Sequence, residues 1–433
     1  MNDSIIHRVV GRRVWDSRGR PTVEADVHLA DGTVGRAIAP AGASRGTNEA
    51  IDLRDGGPAL GGLDVMRAVG NVNGEIAHAL TGLDARDQAG VDAALVALDG
   101  TPNKARLGGN ATIAVSMAVL HAAAASARVP LYRHLAAGGP VRLPLPEIQI
   151  FGGGAHAGRR VDIQDFMVMA LSARSFAEAL VMTAEVYRAA GALMQEAGKL
   201  SGVADEGGFW PLFDSNEEAL GMLVRAIERA GYVPGDEVAI SLDIAASEFG
   251  RDGRYRLGLE ARELDRDGMI EMLLDWCRRY PIASIEDPLA EDDREGMRAF
   301  TKAVGHRIQV IGDDYLVTNA DRVRAAEVDG ACNAVLIKPN QAGTITETRA
   351  ACVAGQEARF GTIVSARSGE TEDITIVHLS TGWNAGQLKV GSFTRSERMA
   401  KWNEALRLEE ALGDTAGFAG RTVLPPDAGQ PLA

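Results

Sequence analysis

A chain of 433 residues, 46% hydrophobic and 24% charged, has material for a large buried core and for more than one domain. Its formal charge of −14 argues against nucleic acid or an anionic membrane surface as the main partner, yet leaves room for a small anion in a local basic pocket. Three scattered cysteines, Cys277, Cys332 and Cys352, form neither a disulfide framework nor a zinc site and are expected to be reduced packing residues.

The first twenty residues, MNDSIIHRVVGRRVWDSRGR, are too charged for a secretory leader, so a cytoplasmic location is expected. TVEADVHLADGTVGRAIAP then shows two alternating runs joined at Asp31-Gly32, a hairpin signal. Residues 40–50 carry Gly42 and Gly46 with little to pack and predict a mobile loop. From 64 to 137 the pattern is helical with alanine-rich faces. Its most apolar stretch, ATIAVSMAVLHAAAASA, is interrupted by Ser and His and predicts a buried helix; a membrane span would need about 20 apolar residues. Gly138, Gly139 and Pro140 mark a junction. The division expected is an α+β capping domain over 1–137 and a catalytic domain over 138–433.

The second part repeats a strand followed by an amphipathic stretch. Short β-branched runs end at or beside Asp243, Glu286, Asp313, Lys338, Arg367 and Lys389, spaced by 43, 27, 25, 29 and 22 residues. Parallel strands need helical crossovers of about this length, so the fold class is α/β, a TIM-like β/α barrel. Such barrels carry their active sites at the C-terminal strand ends. One carboxylate after a strand is ordinarily a helix cap; six ionisable residues in series are not explained that way.

Asp243, Glu286 and Asp313 would converge on the barrel axis, where their pKa values would rise unless a cation sat between them. All-oxygen ligation favours a hard ion, Mg²⁺. The other reading is an ion-pair network with Lys338 and Lys389. A lysine beside a divalent cation loses its proton more easily, so Lys338 could act as a base, and Lys389 could stabilise a developing enolate. Proton abstraction next to a carboxylate is the reaction class this order of residues suggests.

The stretches VWDSRGRPTVEADV, GASRGTNEA, GTPNKARLGGNATIAVSMAV, GGGAHAG, ADEGGF, SLDIAASEF, SIEDPLAEDD, IGDDYLVTN, KPNQAGTITET, SARSGETED and RSERMAKWNEALRLEE resemble the enolase (phosphopyruvate hydratase) family over nearly the whole chain. The resemblance implies that Asp243, Glu286 and Asp313 bind one Mg²⁺ and that Ser44 ligates a second. It makes Lys338 the base and has Lys389 hold the substrate carboxylate. Glu206 would help the β-hydroxyl leave, Arg367 and Ser368 would bind the phosphoryl group, and His156 would close over the ligand. It also implies a homo-oligomer, at least a dimer.

Four positions depart from the family pattern: Ala366 replaces a histidine, Asp165 a glutamate, Arg45 a threonine and Asn48 a lid histidine. Asp165 is expected to leave a gap beside the catalytic acid, of about one methylene's reach, and Arg45 to add charge to the anion pocket. These changes lead to the expectation of a specialised paralogue acting on a larger or more anionic phospho- or phosphono-carboxylate, such as a carboxyphosphonoenolpyruvate synthase of phosphonate biosynthesis. The alternatives are an ordinary glycolytic enolase and a non-catalytic scaffold.

Overall fold

The computed structural model describes residues 3–432. Its N-terminal part opens with an antiparallel sheet of β1 (Ile6–Trp15), β2 (Pro21–Leu29) and β3 (Val34–Ile38), with β2 in the middle. The hairpin expected at Asp31-Gly32 joins β2 to β3. β1 was not expected. Its Arg12 pairs across the sheet with Glu24 and Asp26, and its Arg13 with Asp64. Helix Gly109–Ser126 packs on β2 and β3 and is buried along nearly its whole length. It is long and apolar enough to cross a membrane by composition, but here it forms the core between sheet and barrel.

After a short strand, β4 (Arg142–Leu143), come the first three barrel strands, β5 (Leu145–Gly152), β6 (Asp165–Ala170) and β7 (Val238–Asp243). A small antiparallel insert follows: β8 (Gly250–Arg251), β9 (Arg254–Leu257) and β10 (Arg262–Asp265). The barrel then closes with β11 (Ile282–Glu286), β12 (Gln309–Gly312), β13 (Ala334–Ile337), β14 (Gly361–Ser365) and β15 (Gly386–Ser392). β16 (Gly417–Phe418) pairs with β4. The barrel is α/β as expected, and the six strands read from the sequence are all present.

The barrel is not uniformly parallel: β6 runs antiparallel to both β5 and β7. The segment between β5 and β6 is only a loop with one 3-10 turn, too short for a helical crossover, so the chain reverses. Two helices, Phe176–Glu196 and Asn216–Arg229, then carry it out and back before β7. The reversal places the start of β6 at the mouth, and Asp165 pairs in register with Asp243.

Several helices behind the barrel strands begin on side-chain caps. Ser175, Ser215, Asp265, Asp293, Asn319 and Thr344 each accept a backbone N–H of the first turn. Asp243, Glu286 and Asp313 cap nothing; they are buried at the mouth. The N-terminal part closes over that mouth through an Ala41–Gly369 bridge, with both N–H···O bonds at 2.9 Å, immediately before the 42–50 loop.

Candidate active site

A narrow cavity of about 20 Å³, room for roughly one water, lies at the barrel mouth. Ser44, His156, Asp165, Glu206, Asp243, Lys338, Ala366, Arg367, Ser368 and Lys389 line it, residues drawn from distant parts of the chain. Glu286 and Asp313 lie in contact with the two lysines of that wall.

Lys389 on β15 donates to Asp243 Oδ2 and Glu286 Oε2, both at 2.8 Å, and lies 3.4 Å from Asp165 Oδ2. Burial disfavours its charge, but these carboxylates outweigh burial and hold its pKa well above the usual lysine range. Lys338, just beyond β13, makes a short ion pair with Asp313. Burial again opposes the charge and Asp313 restores it, so the pKa is raised.

Within the trio Asp243, Glu286 and Asp313, Lys389 bridges Asp243 and Glu286, while Lys338 pairs with Asp313. Among the described residues, the groups whose ligand atoms all lie within 4.8 Å of one another are His156–Asp165–Glu206 and Asp287–Asp313–Asp314, and the Asp243–Glu286–Asp313 trio is more widely spread than that. In the second, Asp287 accepts the backbone N–H groups of Asp313 and Asp314 at 2.9 and 2.7 Å and fixes the turn that presents Asp313. Burial, then Asp243, pushes the Glu286 carboxyl well above the carboxylate range. Its Oε1 is buried without a hydrogen-bond partner, as is Gln164 Oε1 beside Asp243. A buried, all-oxygen donor set with unpartnered oxygens fits a hard divalent cation.

His156 was expected to close over a ligand; its ring forms part of the cavity wall. Nδ1 is 3.2 Å from Asp165 Oδ1, while Nε2 is 3.0 Å from Ser368 Oγ and 3.7 Å from Glu206 Oε1. Burial works against protonation, but Glu206 and Asp165 raise the pKa to about 9. The raised pKa favours the charged form of the ring. Asp165 lines the cavity together with Glu206 and makes no hydrogen bond to it; its carboxylate takes a short bond from Gln149 and pairs with His156. Burial opposes the Asp165 charge, yet His156 and Lys389 hold its carboxyl well below the carboxylate range.

Arg367 is buried, with both terminal guanidinium nitrogens engaged. Nη1 donates to Glu49 Oε2 at 3.0 Å and Asn340 Oδ1 at 2.9 Å, and Nη2 to the Ser44 carbonyl at 3.0 Å. Ala366 adds only a methyl group to the wall; its N–H donates to the Lys389 carbonyl at 2.9 Å.

Arg45 and Asn48 do not reach this cavity. Gly46 and Glu49 face inwards, which leaves Arg45, Thr47 and Asn48 exposed. Thr47 reaches Glu291 instead, and Asn48 borders a neighbouring cleft. The extra charge of Arg45 is therefore not part of the anion pocket.

Four participants were missed from the sequence: Glu49, Gln164, Asp287 and Gln341. Each adjoins a segment already singled out, but only the fold shows that it touches Arg367, Asp243 or Asp313.

Comparison with known proteins agrees with this geometry. The family model described as the enolase C-terminal TIM barrel domain matches residues 140–426, and that of the enolase N-terminal domain matches 6–135. A curated relative, Enolase 1 of Desulfitobacterium hafniense (strain Y51), is 51% identical over 421 residues, which is 96% of this chain and 96% of that protein. The chain belongs to the enolase family of lyases.

Proposed function

We propose that the chain catalyses the ordinary enolase reaction, the reversible dehydration of 2-phosphoglycerate to phosphoenolpyruvate, with Mg²⁺. The observation that carries this reading is the gathering of Lys338, Lys389, Arg367, Ser368, Glu206 and Asp243 around one buried cavity at the barrel mouth. The 51% identity to Enolase 1 favours it over the specialised paralogue.

In this reading Lys338 takes the hydrogen α to the substrate carboxylate. Lys389 faces that carboxylate and the negative charge that develops on it. Arg367 and the Ser368 hydroxyl hold the phosphoryl group, the arginine exchanging its Glu49 and Ser44 partners on the 42–50 loop for phosphoryl oxygens. Glu206 and protonated His156 form the acid side: the imidazolium supplies the proton that the departing hydroxyl takes up beside Glu206, and Asp165 keeps the imidazole oriented. Asp243, Glu286 and Asp313 would hold one Mg²⁺, with Ser44 at a second; the metal would free Lys338 from its carboxylate partner and stabilise enolate charge. A cavity of about 20 Å³ cannot take a phosphorylated three-carbon acid, so the lysines and the 42–50 loop move apart on binding.

Incubation with 2-phosphoglycerate and Mg²⁺, followed by ultraviolet absorbance of the enol product, tests the proposal. Turnover that stops on chelation is expected. Absence of turnover, with activity gained by Ala366→His together with Asp165→Glu, would instead support a specialised substrate.

A further inference from the structure

The turn after β12 contains two consecutive β-branched residues in left-handed backbone, Val317 at φ 45° and Thr318 at φ 51°. For branched side chains this conformation is an outlier, and such residues persist where the surroundings hold them. What holds Thr318 is its hydroxyl. Oγ1 accepts the Lys338 backbone N–H at 2.9 Å and donates to Gln341 Oε1 at 2.6 Å.

Those two bonds decide how the neighbouring groups are aimed. With its oxygen engaged by Thr318, the Gln341 amide turns its nitrogen outwards, where Nε2 donates to Asp313 Oδ1 at 2.9 Å and Glu49 Oε1 at 3.2 Å. Asp313 is the partner of the Lys338 ammonium. Glu49 belongs to the 42–50 loop, pairs with Arg367, and also accepts the Gly46 N–H at 2.9 Å. The same turn receives that loop sterically: a Cβ on Gly46 would meet Val317 Cγ1 at 2.7 Å. One hydroxyl thus touches the backbone of the base and, through one amide, both the base's carboxylate partner and the loop over the anion site.

We propose that Thr318 is a positioning residue: it fixes Lys338 at the end of β13 and, through Gln341, ties the 42–50 loop to the base. The kinetic consequence rests on the hydratase reading above; the loop consequence does not.

The experiment uses the full-length protein carrying Thr318→Val, Thr318→Gly or Thr318→Ser. Valine keeps the shape and loses both bonds. Glycine also loses them but suits the backbone, so it decides the matter if the valine variant does not fold. With 2-phosphoglycerate and Mg²⁺, kcat is expected to fall at least tenfold in the Val and Gly variants with KM changed less than threefold, while Ser keeps at least a third of wild-type kcat. Mass spectrometry of limited trypsin digests, which needs no substrate, is expected to show cleavage after Arg45 at least fivefold faster in Val and Gly but not in Ser. Smaller effects in the folded Val or Gly variants, or a Ser variant as impaired as Val, would overturn the proposal. A wild type without turnover would refute the hydratase reading alone, and the cleavage rates would then decide the inference by the same fivefold criterion.

Discussion

Asp165 and Asp243 stand opposite each other in the antiparallel β6–β7 ladder, and Glu286 pairs with Asp243 on the other side. Three carboxylates from adjacent strands therefore lie at one level of the barrel mouth. The Lys389 ammonium contacts all three, so a single cation links the acid-side group to the proposed metal ligands.

Asp165→Asn removes one of the two carboxylates that keep His156 charged against its burial. The ring pKa, now about 9, is expected to fall, and kcat to fall on the order of 100-fold as the acid side loses its support. NMR titration of the ring and steady-state kinetics check the two parts. An unchanged pKa would mean that Glu206 alone sets the charge.

Lys338→Met leaves Asp313 buried without its ammonium partner. Breaking a buried pair in this way costs about 3–5 kcal/mol. Chemical denaturation in chelator should show that loss. Saturating Mg²⁺ should recover about 2.7 kcal/mol or more at 100 times its Kd if Asp313 is a ligand. A variant equally unstable with and without Mg²⁺ would argue against that assignment.

Glu147 is a fully buried carboxyl on β5 with one oxygen unpartnered, and the other accepts the Ser241 hydroxyl at 3.2 Å. Burial pushes its pKa up to about 7, with Lys389 pulling the other way. A raised folded pKa means that the folded state binds the extra proton between the unfolded value, near 4.5, and about 7. Stability from this group is therefore complete below about 4.5 and lost as pH rises through about 7. Glu147→Gln is expected to stabilise the protein at pH 8 by up to about 3 kcal/mol relative to its effect at pH 4.5. Urea denaturation at both pH values checks it; the opposite trend would contradict the sign.

The sequence carried the barrel because its strands end in ionisable residues at regular intervals, and all six of those strands are where the pattern puts them. β5 and β6 escaped for a physical reason. β5, LPEIQIFG, is buried throughout and has no charged terminus at the mouth. β6 runs backwards, so its functional residue, Asp165, stands at its start. β1 escaped because its charges hide the strand pattern; only the fold shows Arg12 pairing with Glu24 and Asp26 of the next strand and Arg13 with Asp64. Site residues on strand ends were legible one by one. Glu49 and Gln341 were not: they act on each other across 292 positions of chain. Arg45 and Asn48 lie on the exposed side of their loop, and a loop's sequence does not tell which of its residues face inwards.

The central claim is that Lys338 removes the hydrogen α to the substrate carboxylate, and isotope exchange tests it most directly. With 2-phosphoglycerate in D₂O and Mg²⁺, recovered substrate should carry deuterium at the α carbon for the wild type. The same should hold for Glu206→Gln, whose defect lies in losing the hydroxyl. Lys338→Met should incorporate none. Deuterium entering the α position at wild-type rate in Lys338→Met would contradict the account.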